Sequence, residues 1–305
     1  TSQQDIDELE KDIHSSQDFS KIQGRFNPRL SLSYANADEV IKKRLLEKND
    51  TGKDAVQLLY TSEVKASLRN KINFSDGTIS LKKYDTLKDF SEFYPMIPYQ
   101  LDLLQQVFTK IRENSSAGKH FASGERNLLG AVQYAALEYA EKDLGILIPF
   151  QTFYGHLDQG LDHSVRATII KAQSTPTLQS FDVDVLKVLY LIRYLKSVPS
   201  TVENITTLML DELDADRLKL TENITAALDR LTKEYLVQRT GLEYLFLTNE
   251  EQDINREINH MDIPTSKMQS YIGEMIYDTV LEMKKYKYVP FAEKKTVAYD
   301  FDCAK

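Results

Sequence analysis

Between Val183 and Leu247 the apolar period switches once, and that switch constrains the fold more than any other feature of the chain. Val183 to Leu195 is a strongly apolar run of helix length. Ser200 or Thr201 opens a second helix through Ile205, Leu208, Met209 and Leu210. Thr221 caps a third, with Ile224, Ala227, Leu228, Leu231 and Leu236 facing inward. From Leu236 to Leu247 the pattern becomes an alternation around Thr240-Gly241, the signal of a hairpin turning at glycine. Three helices followed by a β-hairpin is the winged-helix arrangement.

Upstream, Phe93 to Ala136 reads as two helices joined by a polar loop. Pro98 suits a first helical turn, where its missing N–H is not needed. Leu101, Leu104, Val107, Phe108 and Ile111 then share one face. The small, polar segment Asn114–Ser123 breaks the pattern. Ser123 caps a second helix with Leu128, Leu129, Val132 and Ala136 on its apolar face, and Arg126 lies in its first turn. A cation there faces the positive end of the helix dipole, which is tolerable on the surface and useful if an anion lies opposite.

A length of 305 residues is that of two or three domains, and 42% hydrophobic content is enough for buried cores. The net charge of −8 argues against a general nucleic-acid-coating surface and leaves room only for a local basic face. The single Cys303 excludes an intramolecular disulfide and a multi-cysteine zinc site. His120, His156 and His163 lack a third ligand at suitable spacing, so no metal site is expected. No apolar run reaches the ~20 residues of a membrane helix, and no signal pattern opens the chain; a cytoplasmic protein is expected.

Read in order, Asn36 is an N-cap for a helix over 37–48, and Val56, Leu58, Leu59, Val64, Leu68 and Ile72 suggest one helix after Thr51, with room for an interruption. Leu144–Phe150 is a short apolar run, followed by helices from about Pro149 to His156 and from about Leu161 to Ala172. Tyr94, Tyr99, Phe108, Phe121, Tyr134, Tyr139, Phe150, Phe153 and Tyr154 supply the core of this helical part. The polar stretch Gln173–Gln179 reads as a domain boundary. After the hairpin, a helix from about Pro264 to Tyr286 carries Met268, Ile272, Met275, Ile276, Val280 and Met283 on one side. Thr296–Phe301 reads as a strand lacking a partner.

The block from Tyr94-Pro95-x-x-Pro98-Tyr99-Gln100 through Gly118-Lys119-His120 to Ser123-Gly124-Glu125-Arg126-x-Leu128-Leu129 resembles the large P-loop ATPases of bacterial BREX phage-defence systems, the BrxC/PglY family. The likeness extends, more weakly, over most of the chain. Its Ser-Gly-Glu-Arg step is similar to the sensor-2 region of AAA+ ATPases, which makes Arg126 the expected contact to the nucleotide's outer phosphates. The resemblance implies four segments. These are the end of an AAA+ core (1–48), a helical lid (49–175), a winged-helix domain (178–260) and the start of a further module (261–305). It also implies that Thr1–Gln4 ends a sensor-1 strand, with Ser2, Gln3 and Gln4 the candidates and Gln3 taken first, and that Arg25 or Arg29 is a finger completing a neighbouring subunit's site. The plain reading of Arg25 and Arg29, as loop residues capping carbonyls, stands beside it.

The P-loop itself is missing: no G-x-x-x-x-G-K-[ST] occurs, and no apolar strand ends in paired acids. ATP and Mg2+ are therefore expected in a parent protein of which these 305 residues are an internal fragment, not catalytic alone. The partners implied are other BREX proteins, double-stranded DNA and further copies through AAA+ contacts, with no membrane.

For nucleic acid, Arg230 and Lys233 on the third helix, Arg239 on the hairpin, and Lys284, Lys285 and Lys287 beside Tyr286 and Tyr288 are the candidate contacts. Glu222, Asp229 and Glu234 on the same helix oppose the usual docking mode. The expectation is a mainly α fragment of an antiphage ATPase that couples nucleotide state to lid and winged-helix movement. Its alternatives are a winged-helix DNA-binding regulator and a non-catalytic protein-interaction scaffold.

Overall fold

The computed structural model describes residues 34–75, 81–114, 124–260, 264–282, 285–288 and 297–300. Ser2, Gln3, Gln4, Arg25, Arg29, Phe121, Ser123 and Lys284 lie outside them. Among the described residues the fold is mainly helical, with two small two-stranded antiparallel sheets. The chain divides into two compact units, the first ending at Asp253 and the second beginning at Ile254.

Among the described residues, the first helix of the first unit is α1 (Tyr34–Val40), which widens into a π turn over Ile41–Leu45. The helix is already under way at Tyr34, so Asn36 lies inside it and does not cap it. The single helix expected after Thr51 is two, α2 (Asp50–Leu59) and α3 (Ser62–Lys71). Each has its own cap: Asn49 Oδ1 accepts from Gly52 N at 2.7 Å, and Thr61 Oγ1 accepts from Val64 N at 3.2 Å. Each cap satisfies one of the orphan N–H groups at the start of its helix, which lets the chain turn between the two. Val56, Leu68 and Ile72 are buried, whereas Leu58 is 80% exposed.

A capping box between Thr86 and Asp89 starts α4 (Leu87–Phe93). The long pair follows: α5 (Tyr99–Asn114) buries Leu101, Leu104, Val107, Phe108 and Ile111. Packed on it, α6 (Gly124–Glu138) buries Leu128, Ala131, Val132 and Ala135. The polar residues before α5 are staples. Gln100, fully buried, accepts from Ile97 N at 3.0 Å and donates to Ile148 O at 2.6 Å. The Tyr94 hydroxyl accepts from Gly145 N at 2.7 Å. Tyr94, Tyr99, Phe108, Phe150, Phe153 and Tyr154 lie in the core, but Tyr134 is 40% exposed.

The segment expected as a helix from Pro149 begins as a 3-10 turn, Phe150–Thr152, and continues as the short α7 (Phe153–Leu157). It is followed by α8 (His163–Ser174), so His156 and His163 stand on different helices. Three further helices come next: α9 (Ser180–Ile192), α10 (Val202–Leu208) and α11 (Arg217–Lys233). β1 (Val237–Thr240) and β2 (Glu243–Phe246) pair antiparallel, with Val237 opposite Phe246 and Thr240 opposite Glu243. Gly241, at φ +63, supplies the left-handed residue of the two-residue turn. Thr201 caps α10 by accepting from Asn204 N.

α11 starts one turn earlier than the apolar period alone indicates. Asp216, not Thr221, is its cap, accepting from Leu218 N and Lys219 N at 3.0 and 3.2 Å. Thr221 donates back to Arg217 O within the helix. α9 packs on α11 and β2, and α10 on α11. Tyr190 meets Phe246 edge to face at 5.3 Å.

Gln173–Gln179, made of the last two residues of α8 and the turn that leads to α9, lies within this unit. Segments on its two sides meet along a seam of polar contacts. Leu147 N donates to Asp211 O at 2.6 Å and Leu213 N to Gly145 O at 2.8 Å. Tyr99 donates to Thr207 O at 3.2 Å, and Thr207 Oγ1 to Asn73 O at 2.7 Å.

α12 (Asn249–His260) spans the division between the units. The second unit contains α13 (Thr265–Glu274), which runs into a π turn over Met275–Val280 and ends there, short of the expected Tyr286. Lys285–Tyr288 is not a helix end but a strand, β3, paired antiparallel with β4 (Val297–Asp300). The segment expected to lack a partner therefore has one. Lys-Tyr-Lys-Tyr alternates with period two, and its tyrosines favour a pleated strand over another helical turn.

Candidate functional site

Two regions carry the candidate chemistry: the start of α6, and the face formed by α11 and its hairpin. Arg126 occupies the first turn of α6; its side chain lies outside the described residues. What holds that helix in place is visible. α6 and α7 cross at two glycines. A Cβ on Gly130 would come within 2.6 Å of the His156 ring, and one on Gly155 would strike the Tyr134 hydroxyl. Each glycine is the hollow into which the other helix sets a ring, so the crossing fixes α6 in both rotation and height. Burial holds the His156 imidazole below its usual pKa.

The face of α11 that points away from the core carries Leu218, Lys219, Glu222, Asn223, Thr225, Ala226, Asp229 and Lys233. Its two lysines are offset by two carboxylates, so the helix presents no net cationic stripe. Arg230 is otherwise engaged. Its Nε and Nη2 donate to the two carboxylate oxygens of Asp182 at 2.7 and 2.6 Å. Asp182 is fully buried and also accepts from Gln179 N at 2.9 Å, closing a capping box at the start of α9. The Asp182 carboxylate holds the Arg230 guanidinium above its usual pKa. This fork clamps α9 to α11 and occupies the Nε/Nη2 edge of the guanidinium, which is therefore not open to a phosphate.

Lys233 is exposed at the C-terminal end of α11, where a cation complements the dipole. Arg239 is exposed on β1, its guanidinium 5.7 Å from the Tyr244 ring centre and its Nε donating to Gly241 O at 3.2 Å. The hairpin's outer positions add Glu243 and exposed Leu242 and Leu245, which mixes charge and apolar surface. Lys285 is exposed on β3, opposite Asp300 in the register; Lys287 stands opposite Ala298, its side chain outside the described residues. Arg230, Lys233 and Arg239 thus belong to the first unit and Lys285 and Lys287 to the second. Among the described residues, no three His, Cys, Asp or Glu side chains come together as metal ligands.

Beside this face lies the polar seam. Asn204, fully buried, accepts from Ser75 N at 2.9 Å and donates Nδ2 to Ser75 O at 3.1 Å and Pro199 O at 2.8 Å. Arg217 donates Nη1 to Lys71 O and to Thr207 Oγ1 at 3.0 Å, and Nη2 to Glu203 O at 3.2 Å. Burial lowers its pKa. Lys71 Nζ returns a bond to Leu213 O at 2.9 Å. The carbonyl end of α3 is therefore closed by a cation from the start of α11.

Sequence reasoning did not find this seam. Residues 71–75 and 204–217 are more than a hundred positions apart, and no local pattern links them. The Asp182 half of the fork carried a signal, since Gln179-x-x-Asp182 has capping-box spacing, but its Arg230 half did not.

No family model matches the sequence, and no solved structure matches the chain at a significant level.

Proposed function

We propose that this chain is the lid and winged-helix part of a P-loop ATPase of the kind found in BREX phage-defence systems. In that reading, ATP and Mg2+ are held by a phosphate-binding loop outside these 305 residues. Arg126 senses the outer phosphates from the first turn of α6, and Gln3 and Arg25 or Arg29 serve the same nucleotide or a neighbour's. The winged helix is the α9–α11 bundle with its β1–β2 wing.

The observation that carries the reading is the seam. Asn204, Arg217 and Lys71 join the helices that precede α6 to the α10–α11 turn through part-buried bonds, charge-assisted at Arg217 and Lys71 and neutral at Asn204. A displacement of the lid is then delivered to the wing without slack. DNA is reached elsewhere in the parent assembly, because α11 presents balanced charge and Arg230 is held by Asp182. The wing's role is to dock on protein.

The test is ATP turnover by the P-loop-bearing parent protein with Arg126→Ala. A fall of at least about tenfold, equal to ~1.4 kcal/mol of barrier, is expected. Turnover and nucleotide affinity at the parental level would overturn the sensor-2 assignment.

Exposed Lys219, Lys233 and Arg239 favour a second reading, a winged-helix regulator that reads duplex DNA. It predicts salt-sensitive binding of duplex by this chain, lost stepwise on charge reversal at those three positions. The present proposal predicts no such binding even at low salt.

A further inference from the structure

The second unit carries a continuous apolar stripe on a helix that presents it to solvent. Along α13 and its π turn, Met268, Tyr271, Ile272, Met275 and Ile276 are 39–66% exposed, and Val280 is 74% exposed. At 100° per residue the first five fall within an arc of about 140°. Gly273 is the buried residue of α13; its other nine residues, the stripe among them, are exposed. An open groove of about 410 Å³, lined by Lys267, Met268, Ser270, Tyr271 and Glu274, runs along one flank.

We infer that this stripe is the self-association surface of the chain, and that a second copy packs on it with its α13 antiparallel. The charges decide the occupant and its direction. Lys267 and Glu274 are seven residues apart, on the same flank of the stripe, and both are exposed. In a two-fold antiparallel helix pair each flank faces the same flank of the other copy. Lys267 then meets the partner's Glu274, and Glu274 meets the partner's Lys267, with Tyr271 and Ile272 at the axis and Met268 against the partner's Met275. In a parallel pair that flank faces the opposite one, where Gln269 and Ile276 lie, and neither charge gains a counter-charge. The stripe is thus complementary to itself in one orientation only.

Six half-exposed side chains and their flanks bury on the order of 1,000 Å² in total, the lower edge of specific association, which corresponds to a micromolar rather than nanomolar dimer. Methionines at 268 and 275 suit such an interface because their side chains adapt to a facing surface.

The experiment is sedimentation equilibrium of the 305-residue chain over about 1–200 µM, with Lys267→Glu, with Glu274→Lys, and with the two variants mixed. The wild type is expected to dimerise within that range. Each single variant opposes like charges twice and should weaken the dimer at least about tenfold. The equimolar mixture pairs Glu with Lys at both contacts and should recover association as a heterodimer. Ile272→Glu should abolish it. A wild type that stays monomeric throughout, or a dimer that Lys267→Glu and Glu274→Lys leave unchanged, would overturn the proposal. So would a mixture no tighter than its components.

Discussion

Asn204→Ala removes the centre of the seam while touching no surface. The side chain makes three close bonds, to Ser75 N, Ser75 O and Pro199 O, at 2.9, 3.1 and 2.8 Å. Each contributes about 1 kcal/mol net, and truncation strands an N–H and two carbonyls that had been satisfied. Ser75 is half-buried, so water reaches part of what is stranded. The sum is about 3 kcal/mol, a large share of a typical stability of roughly 5–15 kcal/mol. Urea unfolding should show a lowered midpoint at unchanged slope, and thermal unfolding should fall by about 6–12 °C for a unit of this size. Asn204→Asp keeps the acceptor for Ser75 N but turns a carboxylate oxygen toward Ser75 O and Pro199 O in a fully buried site, so it should destabilise at least as much as Asn204→Ala. A loss below about 1 kcal/mol for Asn204→Ala would refute the reasoning, because the bonds would then be replaceable by water.

Arg230→Ala leaves the buried Asp182 carboxylate without its counter-charge and should destabilise the chain by about 2–4 kcal/mol in the same assay; Asp182→Leu with Arg230→Met should recover most of that loss. Gly130→Ala pushes a methyl into the His156 ring and should lose about 1–3 kcal/mol. Burial lowers the folded-state pKa of His156, so the unfolded chain binds its proton first. Stability should therefore fall as pH drops through and below the imidazole's ordinary 6.5, and His156→Gln should flatten that slope in urea titrations between pH 7.5 and 5. Burial also depresses the Lys48 amine to about 8, from an ordinary 10.5. The folded state is penalised fully below pH 8 and less as pH rises toward 10.5. Lys48→Met should therefore raise the unfolding temperature at pH 7 and raise it less at pH 10.

What the sequence made legible was periodic. The α5–α6 pair and the helix–helix–helix–hairpin order all announce themselves by three- and four-residue steps or by alternation around a glycine. What it hid was of two kinds. Local caps moved boundaries: Asn49 and Thr61 divide one apolar run into α2 and α3, and Asp216 starts α11 before its first core residue. At Lys285–Tyr288, lysines at a helix end and lysines alternating with tyrosines on a strand share one composition, and pairing with Val297–Asp300 decides for the strand. Contacts between distant segments were invisible. The roles of Asn204, Arg217 and Asp182 exist only once the chain has brought residues 71–75, 199–217 and 230 together. Arg230 shows the consequence for function: by composition it was a phosphate contact, and by geometry it is the partner of a buried acid.

In the proposed ATPase, movement at α6 reaches α11 and its hairpin through the seam. Hydrogen exchange of the P-loop-bearing parent protein, with and without ATP, tests it most directly. ATP is predicted to slow exchange in both 124–138 and 217–247 of the wild type. In Asn204→Ala, with exchange referred to its own ATP-free state, the response should persist in 124–138 and vanish in 217–247. An Asn204→Ala protein whose 217–247 segment still responds as the wild type does would contradict the claim, as would a wild type in which ATP leaves 124–138 unchanged.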